Sequence, residues 1–102
     1  MSEIEVSAKV VMIHEAGLHA RPSVKLTKLA KGFDARIEIA AAEDGPWIDA
    51  KSIVKVMATR VPNGALLHIK AAGPEAQSAM DAIVALIEND FEDRLAVSEG
   101  KA

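Results

Sequence analysis

Three histidines are the most informative reactive side chains in this sequence: His14, His19 and His68. The chain has no cysteine, which removes disulfides, iron–sulfur clusters, thiolate nucleophiles and Cys-ligated zinc together. His14 and His68 lack partners at metal-ligand spacing and read as surface residues, so neither a metal site nor a cofactor is expected. His19 differs because an amphipathic helical repeat begins immediately after it, with Gly17 before it and Arg21 and Pro22 behind. At a helix start, unpaired N–H groups and the positive end of the helix dipole converge into an anion site. A ring nitrogen placed there can attack a phosphoryl group. The phosphorylated ring is an anion, which the Arg21 guanidinium and the N–H groups around Ala20 and Arg21 can stabilise. Gly17 permits a tight entry into the helix, and Pro22 occupies the first turn, where its missing N–H costs nothing. Taken alone, such a histidine is more simply read as an N-cap.

The elements that must position it follow from hydrophobic periodicity. Ile4, Val6, Ala8, Val10 and Met12 alternate with polar residues, predicting a half-buried strand from Ile4 to Ile13. Leu26, Leu29, Ala30 and Phe33 fall on one helical stripe, predicting a helix from about Ala20 that Gly32 stops. Ala35, Ile37, Ile39 and Ala41 alternate as a second strand, and Trp47-Ile48 follow the Glu43–Pro46 turn as a short third one. Ile53, Val56, Met57 and Arg60 predict a short helix over 52–60, ended by Pro62-Asn63-Gly64. Ala65, Leu67, Ile69 and Ala71 form the fourth strand. Gly73-Pro74-Glu75 opens a long helix whose stripe is Ala76, Met80, Ile83, Ile87 and Phe91. The order β-α-β-β-α-β-α, with one apolar face per strand, predicts an α+β sandwich: an antiparallel sheet covered on one side by helices.

Length and charge restrict the function further. One domain of 102 residues with 19 Ala and three aromatics closes a modest aliphatic core and leaves no cavity for an organic cofactor. No segment has the length of a membrane span or the pattern of a secretory signal, so a soluble cytoplasmic protein is expected. The net charge of −3 and the lack of a Phe/Tyr platform on the strands argue against nucleic acid as a partner. That total hides a division. Arg21, Lys25, Lys28 and Lys31 have no acid among them from His19 to Phe33, and Lys51, Lys55 and Arg60 repeat the pattern on the second helix. A positive face of this kind steers a domain towards acidic proteins or phosphorylated groups.

Gly17-Leu18-His19-Ala20-Arg21-Pro22 resembles the active-site segment of the histidine-containing phosphocarrier (HPr) family of the phosphoenolpyruvate-dependent phosphotransferase system. The resemblance runs from about Ile4 to Phe91 and takes in Lys51-Ser52-Ile53 and Ala72-Gly73-Pro74-Glu75. It implies an open-faced β-sandwich, with strands ordered 1-4-2-3 and three helices on one face. Residues 1–91 would form this domain and 92–102 a flexible charged tail. It also implies a relay. Enzyme I passes a phosphoryl group to Nδ1 of His19, and the carrier, not itself an enzyme, gives it to a histidine of an enzyme IIA-type protein. Arg21 would be the electrostatic partner, with Gly17, Ala20 and Pro22 completing the phosphate site. Leu18, Lys25, Lys51, Val54, Lys55 and Met57 would make the partner interface of a monomeric carrier. Ser52 matches a position modified in many members by a dedicated kinase/phosphorylase, although Ser at a helix start is also an ordinary N-cap.

Ala16, the Gly32-Phe33-Asp34-Ala35 segment and the Ala-rich last helix look like the nitrogen-type (NPr) branch. Lys55, Thr59 and Arg60 make the second helix more basic and less apolar than is usual for the family. The competing expectation is a regulatory protein-binding module controlled at Ser52, without carrier turnover.

Overall fold

Alternation along the first strand becomes β1 (Glu5–Val11), in which Val10 is buried and Val6 and Ala8 pack against the core. The structure, a computed structural model, describes residues 5–13, 17–89 and 91. Ile4, His14, Ala16 and the 92–102 segment lie outside the described residues. The remaining elements are α1 (Ala20–Lys31), β2 (Arg36–Ala40), β3 (Ile48–Asp49), α2 (Ile53–Ala58), β4 (Leu66–Ala72) and α3 (Ala76–Glu88). All strand pairs are antiparallel and the sheet order is β1-β4-β2-β3. Both the α+β class and the 1-4-2-3 order therefore agree with expectation.

Register explains how one face becomes core. Ala8 and Ile39 flank Ile69 from opposite sides, and Val6 and Ile37 flank Ala71, so the apolar positions of three strands share a face. Against that face lies α3, which touches β1, β4 and β2 through Ala76, Ala79, Met80, Ile83 and Ile87. The helix α1 packs beside α3 and α2. Ile69 sits at the centre of this layer with no exposed surface. Ile69→Val is expected to cost about 1 kcal/mol, measured by urea unfolding with Trp47 fluorescence as the probe.

Element boundaries moved where local chemistry overrides periodicity. Ala41 is exposed, because β2 ends at Ala40. The third strand is Ile48–Asp49, one residue later than expected, with Ile48 opposite Ile39. Gly32 ends α1 as expected, but with a right-handed φ of −81°. Helix α3 begins at Ala76, after the Pro74-Glu75 pair expected to open it. Glu75 turns instead to the loop after α1, where its carboxylate accepts the Asp34 N–H at 2.6 Å while its own N–H donates to Asp34 O at 3.1 Å. The second helix stops at Ala58: the Thr59 hydroxyl donates to Val56 O at 2.7 Å, and Arg60 takes a left-handed φ of 52°. Only Val56 is buried in this short helix, so Met57 and Arg60 do not extend a core stripe. His68, expected to be an ordinary surface residue, is half-buried on the uncovered sheet face, its ring edge-on to Trp47 at 6.5 Å. Lys70 Nζ lies 4.2 Å from the centre of the same indole ring.

Candidate functional site

The entry to α1 is built on a close approach between two backbone segments. Gly17 has φ +71°, and a Cβ there would lie 2.5 Å from Val61 O and 2.9 Å from Pro62 Cα. Only glycine allows this contact without displacing backbone. The contact brings the next residue into bonding range, so the Leu18 N–H donates to Val61 O at 2.8 Å. The Leu18 side chain is 2 % exposed and packs in the core. This corrects its expected place on the partner interface: it anchors the loop from below. Ser23, also buried, donates its hydroxyl to Leu18 O at 3.4 Å from the first turn of the helix.

His19 is thereby held at the N-cap position of α1 with extended backbone, φ −96° and ψ −160°. Its N–H donates to Gly17 O at 2.9 Å, and its carbonyl accepts the Ser23 N–H at 2.9 Å. Its side chain makes no capping hydrogen bond, and the residue is exposed. His19 is thus the N-cap by position, and its side chain does no capping. The helix start keeps its donors: Pro22 has none to give and Ser23 is paired, which leaves the N–H groups of Ala20 and Arg21 as the first-turn donors beside the ring. The imidazole borders an open groove of about 660 Å³ shared with Val54, Met57, Ala58, Arg60 and Pro62, and Leu18 and Val61 close its floor.

This groove joins α1 to α2 in a way periodicity did not show. Val54 is 74 % exposed and Met57 39 %, an apolar pair flanked by the exposed Lys55 and Arg60. Exposed apolar side chains rimmed by charge suit a protein-docking surface. Ala58, Val61 and Pro62 are the groove residues that the expected interface and its basic patch did not include. Arg60 reaches the groove because its left-handed backbone turns the chain after α2, a conformation with no signal in an arginine codeword. Arg21 is exposed and follows directly on the donor N–H groups, but it borders a neighbouring hollow of α1 with Lys25 and Lys28. Two lysines expected on the interface are tied to backbone. Lys25 Nζ donates to Phe91 O at 2.7 Å and Lys51 Nζ to Phe33 O at 3.1 Å. Both are half-buried, so their charges are fixed in place.

Ser52 is the N-cap of α2, half-buried, and its hydroxyl oxygen accepts the Lys55 N–H at 3.4 Å. This bond is long, which puts the cost of Ser52→Ala near the low end for caps, about 0.5–1 kcal/mol, readable as a shift in the urea midpoint. Among the described residues, no group of three or more His, Asp or Glu could hold a metal ion, and no helix is long and apolar enough to cross a membrane.

A four-stranded sheet, three helices and an exposed histidine at the N-terminus of α1 define the small domain. Residues 6–89 match the family model described as the PTS HPr component phosphorylation site, and the chain belongs to that family of phosphocarriers. It is 42 % identical over 80 residues to the phosphocarrier protein HPr of Cupriavidus necator, covering 78 % of this chain and 88 % of that protein. It is 30 % identical over 88 residues to the phosphocarrier protein NPr of Escherichia coli K12, covering 86 % and 97 %. The crystal structure of HPr-C-His from Thermoanaerobacter tengcongensis superimposes with a TM-score of 0.78 at 30 % identity, covering 84 % of this chain and 94 % of that one.

Proposed function

We propose that this phosphocarrier of the phosphotransferase system holds its phosphoryl group on Nδ1 of His19. The donor is the phosphohistidine of enzyme I and the acceptor a histidine of an enzyme IIA-type protein. In the charging step the donor's N–P bond breaks as the His19 Nδ1–P bond forms. The reverse exchange discharges the carrier onto the next protein. The observation that carries this reading is the exposed, non-capping His19 ring at a helix start whose Ala20 and Arg21 N–H groups point out of the first turn. These donors and the Arg21 side chain stabilise the added negative charge. Gly17 sets the turn, and Pro22 adds no competing donor. The chain supplies the acceptor atom and its electrostatics, and the partner proteins supply the catalysis, so it acts as a carrier rather than an enzyme. It works as a cytoplasmic monomer, docking through Val54 and Met57 with Lys55 and Arg60 as the charged rim.

Incubation with enzyme I and labelled phosphoenolpyruvate is expected to add one acid-labile phosphate per chain. Absence of label with a cognate enzyme I would overturn the reading. The nitrogen-type branch is supported by Ala16, by the Gly32–Ala35 and Gly73-Pro74-Glu75 segments and by the Ala-rich last helix. Its test is discharge: the charged protein is expected to phosphorylate a nitrogen-type enzyme IIA faster than a sugar-specific one. Regulation at Ser52 by a kinase/phosphorylase would replace a cap oxygen with a phosphate beside Lys55, adding negative charge to the docking rim. Enzyme I is then expected to bind Ser52→Asp more weakly than Ser52→Ala.

A further inference from the structure

Left-handed backbone is scarce in this chain and mostly given to glycine. Gly17, Gly45, Gly64 and Gly73 have positive φ, and among the described residues Arg60, at 52°, and Phe91, at 58°, are the two others that share it. A residue with a Cβ loses stability in that region, so its presence needs a compensating contact or a use. Phe91 has the contact: it is 3 % exposed and belongs to the core cluster. Arg60 has none. It is exposed, and among the described residues its guanidinium has no hydrogen-bond or ion-pair partner. It also stands directly after Thr59, the C-cap of α2, where helices commonly take glycine or asparagine. The dipole of α2 favours a cation at that end, but Lys55 in its last turn already supplies one.

What Arg60 gains is a place beside His19. The Leu18 N–H bond to Val61 O, at 2.8 Å, ties two segments together, and His19 and Arg60 are neighbours of that bond, one on each segment. Both line the groove of about 660 Å³, whose other residues, Leu18, Val54, Met57, Ala58, Val61 and Pro62, carry no charge. Arg60 is thus the one permanent charge that lines it. Arg21 borders the neighbouring hollow, with Lys25 and Lys28. We propose that Arg60 is a second phosphoryl-binding residue, whose guanidinium takes the oxygens of the phosphoryl group in transit on the groove side of His19. This rests on the carrier reading. As the N–P bond of the donor's phosphohistidine breaks, the donor nitrogen keeps the electron pair and the His19 Nδ1–P bond forms. Negative charge is spread meanwhile over the three oxygens of the moving group. The planar guanidinium holds two of them in a fork and gives up no proton. A partner docked on Val54 and Met57 excludes water from this apolar groove, which strengthens the attraction. The Arg21 side chain and the first-turn N–H groups act from the helix end, and Arg60 acts from the groove.

The test compares the wild type with Arg60→Gln, Arg60→Lys and Arg60→Gly as acceptors from phosphorylated enzyme I, with urea unfolding of each. Arg60→Gln is expected to lower kcat about tenfold or more, the scale of one charge-assisted contact. Its KM as the protein substrate is expected to stay within about twofold, because a single exposed rim charge binds weakly. Arg60→Lys is expected to recover part of kcat, since it restores the charge without the fork. Arg60→Gly is expected to be as slow as Arg60→Gln, yet to unfold at a higher urea midpoint than the wild type, because glycine relieves the left-handed backbone. A raised KM at unchanged kcat in Arg60→Gln would confine the residue to the docking rim and overturn the phosphoryl contact. A midpoint lowered together with kcat in both Arg60→Gln and Arg60→Gly would make Arg60 structural, with the same consequence. A wild type that takes no label removes the carrier reading and this contact with it, whereas a labelled wild type and an equally fast Arg60→Gln remove the contact alone.

Discussion

His19→Ala is expected to incorporate no phosphate from enzyme I and phosphoenolpyruvate, under conditions in which the wild type takes one per chain. The reason is chemical: of the two described histidines, His19 alone stands at a helix start. His68 is half-buried, its ring edge-on to Trp47, and is not among the groove residues. The loss should not reflect unfolding. The His19 side chain makes no capping bond and is exposed, so replacing it leaves the urea midpoint within about 0.5 kcal/mol of wild type. Arg21→Gln separates the roles. It removes a charge but no backbone donor, so the label should still reach one per chain, at a rate reduced about tenfold or more, in keeping with a charge-assisted contact of about 1.5–3 kcal/mol. Full labelling of His19→Ala would move the site elsewhere.

The second large effect is expected at Gly17. An alanine there meets a backbone conformation of φ +71° and places its Cβ 2.5 Å from Val61 O. That oxygen also accepts the Leu18 N–H at 2.8 Å, so the loop cannot yield without losing the bond that sets His19. Gly17→Ala is expected to destabilise the domain by about 2–3 kcal/mol, the range of a strained backbone position that surroundings cannot relieve. It should also slow phosphoryl acceptance in the fraction that remains folded. Gly64→Ala is the matched control. Gly64 has φ +93° but nothing within 4 Å of the added Cβ, so it isolates the conformational part, about 1 kcal/mol. Equal losses at the two positions would show that the close approach to Val61–Pro62 contributes nothing.

The amount legible in the sequence varies with the range of the interaction involved. Helix α1 was readable to within a residue, because Pro22 and Gly32 mark its ends and Leu26 and Ala30 mark its buried side. The core faces of β1, β2 and β4 were readable for the same reason: alternation is a local signal. Helix α2 was overextended, since its stop depends on a Thr59 hydroxyl bond and a left-handed Arg60 that residue types do not announce. The order of the strands was available only through family resemblance. Period-two patterning says which face is buried, not which strand lies alongside.

The candidate site divides along the same line. A histidine preceded by Gly-Leu and followed by Ala-Arg-Pro at a helix start is a contiguous signal, and the anion-binding chemistry follows from it without coordinates. What surrounds that ring is not contiguous. Burial of Leu18, the groove shared with Val54, Met57 and Arg60, and the tethering of Lys25 to Phe91 and Lys51 to Phe33 all join residues far apart in the chain. The sequence by itself determined that His19 meets a helix N-terminus, because capping and dipole are properties of a few consecutive residues. Only the tertiary structure decided which side chains share its groove and which cations remain exposed, because those outcomes depend on which distant backbone arrives beside it.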